Sequence, residues 1–309
     1  MRFNPKARLN TRRMGDAGRS GARGGGTGGL PIPAGVAGGG VGGLIIVVII
    51  VAVSMWLGGG SSGGGGGGYD DSRMSDTGRY EHCKTGEDAN KDPDCARVAV
   101  ENSLYDYWSE TLPAQAGIEF TPEKKVETFT GAIQTGCGQA TSDVGPFYCP
   151  TDRTIYLDTT FFRDVLQQQL GGPSGAFVEP YVLAHEYGHH IQNLLGTMSK
   201  VKTQQGPHSD SVKLELQADC YAGMWAHSAT TTEDENGVVL IQDLTQQDIQ
   251  EAIDAATAVG DDRIQQQSGG GVDPDSWTHG SSAERVRWFT IGYKSGSLDD
   301  CDTFAPGAV

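Results

Sequence analysis

The sequence has no charged residue between Arg23 and Asp70, no cysteine before Cys83 and no Cys-x-x-Cys pair. The last absence weakens any interpretation of the cysteines as a metal site. Basic residues are also scarce after the N-terminal segment, because seven of the 23 precede residue 24. Residues 24–309 therefore contain 16 basic and 38 acidic side chains, a formal charge of −22. This balance argues against nucleic acid as a partner and fits a solvated acidic surface. No internal repeat is evident.

The uncharged stretch contains a long apolar run at residues 44–57. As a helix this run spans about 21 Å, which is less than the hydrocarbon core of about 30 Å. Extension back through the preceding glycines, to residues 34–57, gives enough length, and Trp56 suits a membrane interface. A cleaved signal peptide is the alternative. The long basic lead and the lack of a clear Ala-x-Ala site favour an uncleaved, single-pass transmembrane helix at 34–57.

The segments around this helix differ in composition. Residues 1–30 are basic and rich in glycine, so we expect a disordered cytoplasmic segment. Residues 58–68 are almost pure glycine and serine and predict a flexible linker. The folded domain is therefore expected at residues 69–309. The excess of Arg and Lys before the helix predicts a cell-membrane protein whose N-terminus is cytoplasmic and whose folded domain is extracytoplasmic, with the lipid bilayer as a partner.

All six cysteines follow the apolar run, and their even number agrees with export to an oxidising compartment. Fifteen pairings are possible. Two short-range loops and one long-range link form the pairing we expect: Cys83 with Cys95, Cys137 with Cys149, and Cys220 with Cys301.

One stretch carries a metal-binding pattern. His185, Glu186 and His189 form His-Glu-x-x-His in a segment with apolar helical character after Pro180. On a helix, residues four apart lie on one face, so the two imidazoles can bind one cation. The Glu186 carboxylate, rotated by about 100 degrees, lies beside the cation and can take a proton from water. A buried helix whose histidines only satisfy hydrogen bonds is the alternative.

Two histidines do not complete a catalytic zinc site, which typically has three protein ligands. The candidates for the third are His190, His208, Asp210 and Glu215. His190 points about 100 degrees away from His189 on the helix. Glu215 fits best, because it lies in an otherwise apolar segment that predicts a second helix. Asp219, one turn later, can accept the outer N–H of a ligand histidine.

His-Glu-Tyr-Gly-His followed by Glu-Leu-Gln-Ala-Asp resembles the gluzincin metallopeptidases. In detail the chain resembles the bacterial neutral zinc metallopeptidase family, with further matching stretches at residues 147–162, 260–263 and 278–289. The resemblance implies an α+β fold, a mostly helical zincin-like domain with a small β-sheet. It also implies Zn²⁺ on His185, His189 and Glu215, Glu186 as general base, Asp219 as the support of a ligand histidine, and a peptide or protein substrate.

Two further expectations depend on analogy with related peptidases. His279 matches the histidine of a Thr-His-Pro segment in membrane metallopeptidases and is a candidate for stabilising an oxyanion, although Gly280 replaces the proline. A histidine that only contacts a helix N-terminus is the alternative. The half-buried strand predicted at residues 154–157 is a candidate for pairing with an extended peptide.

The sequence thus predicts a membrane-anchored, zinc-dependent endopeptidase. A zinc-stabilised envelope module that binds partners without turnover is the main alternative, although such a module has no need of Glu186. A metal-dependent hydrolase of non-peptide amides is a third.

Overall fold

The computed structural model describes residues 1–19, 76–269 and 271–309. The predicted anchor at 34–57 and linker at 58–68 lie outside this part of the chain, as do residues 69–75. Among the described residues, no helix has the length and apolar character needed to cross a membrane. The α+β class is confirmed for these residues, because helices surround three small sheets.

The elements are numbered here in the order in which they occur along the described residues. The helices are α1 (Gly86–Ala89), α2 (Pro93–Ala116), α3 (Val178–Leu194), α4 (Asp210–Ser228), α5 (Gln246–Ala258), α6 (Asp261–Gln267) and α7 (Ser282–Ser295). The strands are β1 (Arg2–Phe3), β2 (Met14–Arg19), β3 (Lys125–Thr130), β4 (Ala132–Thr135), β5 (Gly138–Thr141), β6 (Phe147–Cys149), β7 (Thr154–Asp158) and β8 (Ile241–Asp243).

The main sheet has the strand order β2-β3-β7-β6. Strands β2, β3 and β7 are parallel, whereas β6 runs antiparallel to β7 at one edge. The prediction that residues 154–157 pair with a peptide is wrong, because β7 has β3 on one side and β6 on the other. A strand with two neighbours has no backbone groups left for a third. The edge that remains on this side is β6.

The N-terminal segment belongs to the fold. β2 pairs with β3, β1 pairs with β8, and Phe3, Ala7 and Met14 are buried in the core. The prediction of disorder for residues 1–30 is therefore wrong for residues 1–19, and residues 20–30 lie outside the described part. Composition misled because the basic residues alternate with apolar ones, so that the apolar side chains can pack while most of the charges stay exposed.

This packing bears on the membrane arrangement. A segment that crossed a bilayer once between residues 19 and 76 would separate the N-terminal strands from the rest of the sheet. A single-pass anchor and the observed pairing of β2 with β3 thus cannot hold in the same molecule. The location of the protein stays a prediction.

Close helix packing sets the positions of the chemically active residues. A Cβ atom at Gly188 of α3 would lie 3.1 Å from the Cα of Ala218 in α4, so glycine lets the two helices approach at this level. A Cβ at Gly292 of α7 would lie only 1.9 Å from the carbonyl oxygen of Cys220 in α4. Helix α4 is therefore held between α3 and α7 at backbone contact distance.

The three predicted disulfides are confirmed: Cys83–Cys95, Cys137–Cys149 and Cys220–Cys301. The third links α4 to the C-terminal segment across 81 residues, whereas the other two close short loops.

Candidate metal centre and active site

Helix α3 presents the predicted His-Glu-x-x-His residues on its buried side. The rings of His185 and His189 lie one helical turn apart, with centroids separated by 4.8 Å. Glu186 is also buried, 7% exposed, and all three side chains line one cavity. The periodicity of the helix thus places them as the sequence predicted.

Glu215 of α4 completes the group. Its carboxylate lies 3.1 Å from His185 Nε2 and 3.4 Å from His189 Nε2, and its side chain is 2% exposed. Burial alone would raise the pKa of this carboxyl, but the adjacent imidazoles hold it well below its ordinary value. The sequence prediction of Glu215 as the third donor agrees with this geometry.

The donor set fits zinc in both chemistry and spacing. Tetrahedral ligands at about 2.0–2.1 Å from an ion lie about 3.3 Å from one another. Here His185 Nε2 lies 3.1 Å from one oxygen of Glu215 and His189 Nε2 lies 3.4 Å from the other, and the three ligand atoms lie within 4.8 Å of one another. Two neutral imidazoles and one carboxylate are also the ligands found in many zinc hydrolases. His185, His189 and Glu215 are therefore the residues that would hold the ion.

The other sequence candidates lie elsewhere. His208 is exposed, and Asp210 accepts hydrogen bonds from the backbone N–H groups of Lys202 and Thr203. His190 is buried between Tyr148 and the carbonyl of Thr121, and burial lowers its pKa to about 4.

His185 is oriented by a buried network around Asp219. The Asp219 carboxylate lies 2.8 Å from His185 Nδ1, as predicted, and accepts a hydrogen bond from the hydroxyl of Tyr181. Arg285 of α7 donates to both carboxylate oxygens, at 2.8 and 3.0 Å. Burial opposes ionisation of Asp219, but Arg285 and His185 hold its pKa at about 2. A proton on Nδ1 leaves the Nε2 lone pair for the metal.

His189 has a different support, which the sequence analysis did not identify. Its Nδ1 lies 2.8 Å from Oε1 of Gln192, the residue three positions later on α3. The Gln192 amide in turn donates to the carbonyl of Leu214 and to Gln217 in α4. Arg285 was also missed as a functional residue. The available signals were the spacing of Gln192 from His189 and the position of Arg285, four residues after Ser281 at the predicted helix start.

Glu186 lines the same cavity but does not belong to the donor set of His185, His189 and Glu215. Burial raises the pKa of its carboxyl above the ordinary value, and the adjacent imidazoles of His189 and His185 offset this only in part. A carboxylate with a raised pKa next to the donor set suits proton transfer near neutral pH.

His279 lies at the same cavity and is fixed by Asp261. One oxygen of Asp261 accepts hydrogen bonds from the backbone N–H groups of Thr278, His279 and Gly280, at 2.7 to 3.0 Å. The other oxygen lies 3.2 Å from His279 Nδ1. Burial works against ionisation of Asp261, yet the neighbouring His279 and the three N–H donors keep its pKa below the ordinary value.

The cavity beside these groups has a volume of about 150 Å³ and mainly apolar walls. Its polar members are the donor set with Glu186, His279 and Arg285. Strand β6, the first turn of α3 and the surrounding loops supply most of the apolar side chains. A cavity of this size holds a group as large as a benzene ring. It can therefore accommodate an apolar side chain beside the metal centre.

The chain belongs to the family described as "Putative neutral zinc metallopeptidase", which matches residues 4–304. An uncharacterized protein of Mycobacterium tuberculosis is 50% identical over 225 residues, 72% of this chain and 74% of that protein. The uncharacterized protein YpfJ of Escherichia coli is 46% identical over 188 residues, 59% of this chain and 62% of that protein. No solved structure gives a significant match. The family implies zinc, a hydrolase and a peptide or protein substrate.

Proposed function

We propose that this protein is a zinc-dependent endopeptidase. The observation that carries the proposal is the buried group of His185, His189 and Glu215, whose possible ligand atoms lie within 4.8 Å of one another, with Glu186 adjacent in a cavity open to substrate. The family supports the same class of activity at a coarser level.

Each residue of the centre has a separate role in the proposed hydrolysis of a peptide bond. Bound zinc supplies Lewis acidity, which makes water more acidic and polarises a carbonyl group. Glu186 removes the proton from the attacking water and then delivers it to the amine that leaves. Asp219 and Gln192 keep the Nδ1 protons of the two histidines in place during this transfer.

His279 is proposed to stabilise the negative charge that develops on the carbonyl oxygen. Its Nδ1 is occupied by Asp261 and Thr278, so Nε2 is the ring nitrogen available to the substrate. The three backbone hydrogen bonds to Asp261 hold this loop in one conformation. A His279→Ala variant that retains zinc and full turnover would exclude this role.

Strand β6 is the proposed site of peptide pairing. Phe147 and Tyr148 of this edge strand line the cavity, and only β7 pairs with β6 among the described residues. An extended peptide added along the free edge would pass directly in front of the metal centre.

We also propose that the protein works in an oxidising compartment. Three disulfides that use all six cysteines support this location, because such bonds rarely persist in the cytosol.

The direct test compares Glu186→Gln with Glu119→Gln, which makes the same change at an exposed position. Both purified variants should bind zinc like the wild type. Cleavage of a casein-like substrate, followed by product sequencing, should fall by about 10²–10⁴-fold in Glu186→Gln alone, since the base is lost. Wild-type turnover in Glu186→Gln would refute the proposed role. Zinc binding without cleavage by the wild type would favour a binding module.

A further inference from the structure

A chain of hydrogen bonds leads from the metal centre to a disulfide. His189 Nδ1 lies 2.8 Å from Gln192 Oε1, and Gln192 Nε2 lies 3.2 Å from Gln217 Oε1. Gln217 Nε2 then donates to the backbone carbonyl of Cys301 at 3.0 Å. All four residues are buried, with at most 8% of any one exposed, so water does not compete for these bonds.

The last residue of this chain is held covalently. Cys301 forms a disulfide with Cys220 of α4, which follows Asp219, the residue that orients His185. Thr303, two residues further on, donates to the carbonyl of Lys213 at 2.6 Å. The supports of both ligand histidines therefore meet on α4, at the point where the disulfide attaches the C-terminal segment.

The direction of each hydrogen bond follows from the chemistry of the groups. A backbone carbonyl can only accept, so the Cys301 oxygen requires the NH₂ end of the Gln217 amide. The Gln217 oxygen then faces the NH₂ end of Gln192, which also donates to the carbonyl of Leu214. The Gln192 oxygen is left for His189, so Nδ1 carries the proton and Nε2 is free to bind metal.

We propose that the Cys220–Cys301 disulfide positions the metal centre through these hydrogen bonds, so that tight zinc binding requires the bond to be intact. The inference rests on the proposed zinc site. A dithiol reductant would supply two electrons and two protons, converting the disulfide to two thiols while the reductant becomes a disulfide. The disulfide then no longer holds the Cys301 carbonyl at the Gln217 amide. The amides of Gln217 and Gln192 can rotate, and they no longer select the His189 tautomer that leaves Nε2 free.

The first experiment compares two disulfide deletions in the full chain. Cys220→Ala/Cys301→Ala removes the proposed support, whereas Cys83→Ala/Cys95→Ala removes a disulfide that none of these hydrogen bonds reaches. The zinc dissociation constant of each is measured by competition with a chromophoric chelator. We expect affinity to fall by about 10-fold or more in the first variant, within the 10–100-fold range for lost outer partners of a ligand, and to stay unchanged in the second.

A second pair of variants keeps every disulfide and so separates positioning from folding. Gln217→Met removes the amide bonded to Cys301. Gln115→Met is the control, because it also removes a glutamine amide that is hydrogen-bonded to the C-terminal segment. Gln115 bonds the backbone of Gly296 and Leu298 and does not reach the metal centre. Zinc affinity should fall only in Gln217→Met.

Two outcomes would overturn the inference in different ways. Wild-type zinc affinity in both Gln217→Met and Cys220→Ala/Cys301→Ala, or an equal loss in both disulfide deletions, would show that the bond serves stability alone and leave the proposed function standing. A folded wild type that binds no zinc would overturn the proposed function together with this inference.

Discussion

Replacing Arg13 with methionine removes a cation on which the N-terminal segment and the rest of the domain depend. The Arg13 guanidinium lies 2.6 Å from Glu101 and 3.3 Å from Glu123, two carboxyls with fully buried side chains. It also stacks over the ring of Tyr105 at 3.9 Å. Burial and the charge of Glu101 raise the pKa of Glu123 well above its ordinary value, so Glu123 favours its neutral form and Arg13 balances Glu101.

The size of the effect follows from the charge left behind. Removing one partner of a buried ion pair typically costs about 3–5 kcal/mol, because the other charge stays buried without compensation. For a domain of this size each kcal/mol lowers the melting temperature by about 2–4 °C. Arg13→Met should therefore melt about 6–20 °C below the wild type. Adding Glu101→Gln to this variant removes the uncompensated charge and should restore much of the loss.

Thermal unfolding followed by circular dichroism measures this difference. Arg12→Met is the matched control, because it makes the same change at the adjacent, exposed position. Its melting temperature should stay close to the wild type. If Arg13→Met were as stable as Arg12→Met, residues 1–19 would not pack against the domain as described, and a single-pass arrangement would again be possible.

Three further predictions concern the metal centre, acid stability and topology. Asp219→Asn should weaken zinc binding by about 10–100-fold in chelator competition, because His185 and Arg285 lose their shared carboxylate; unchanged affinity would contradict this. Burial would raise the pKa of Asp94, but hydrogen bonds from Arg79 and Arg97 hold it below its ordinary value. Ionised Asp94 therefore stabilises the fold above about pH 4, and this stabilisation is lost as pH falls through the lower folded pKa. Denaturation curves at several pH values should show that the free energy of unfolding falls less steeply with acid in Asp94→Asn than in the wild type. A membrane-impermeant thiol reagent applied to intact cells should label Lys6→Cys and Lys202→Cys alike, and labelling of only one would contradict their shared fold.

The metal-binding helix could be predicted from sequence because its information is local. His185, Glu186 and His189 lie within five residues, and helical periodicity alone brings the two imidazoles to one face. Glu215 and Asp219 could be identified for a related reason, since two carboxylates in an apolar run require buried partners. Residue type and spacing were therefore enough to predict the role of these residues.

The supports from distant segments could not be predicted in this way. Gln192 and Gln217 act through amide orientations that depend on how α3 meets α4, and the carbonyl of Cys301 reaches them only through tertiary packing. Arg285 likewise contacts Asp219 across 66 residues. No pattern within one segment encodes these contacts.

The N-terminal strands show how composition can mislead. Arg13 reads as one of several basic residues in a glycine-rich lead, yet its partners Glu101 and Glu123 lie far along the chain. The wrong prediction of peptide pairing at β7 has a similar origin. Strand order is a property of the whole sheet, and it places β6 rather than β7 at the free edge.

Metal analysis of purified protein after dialysis tests the central claim most directly. The wild type and Asp210→Asn should each retain one zinc ion per chain, whereas Glu215→Gln, which neutralises the proposed third ligand, should lose it while remaining folded. A folded Glu215→Gln variant with the wild-type zinc content, or a folded wild type that takes up none when zinc is supplied, would contradict the proposed metal centre.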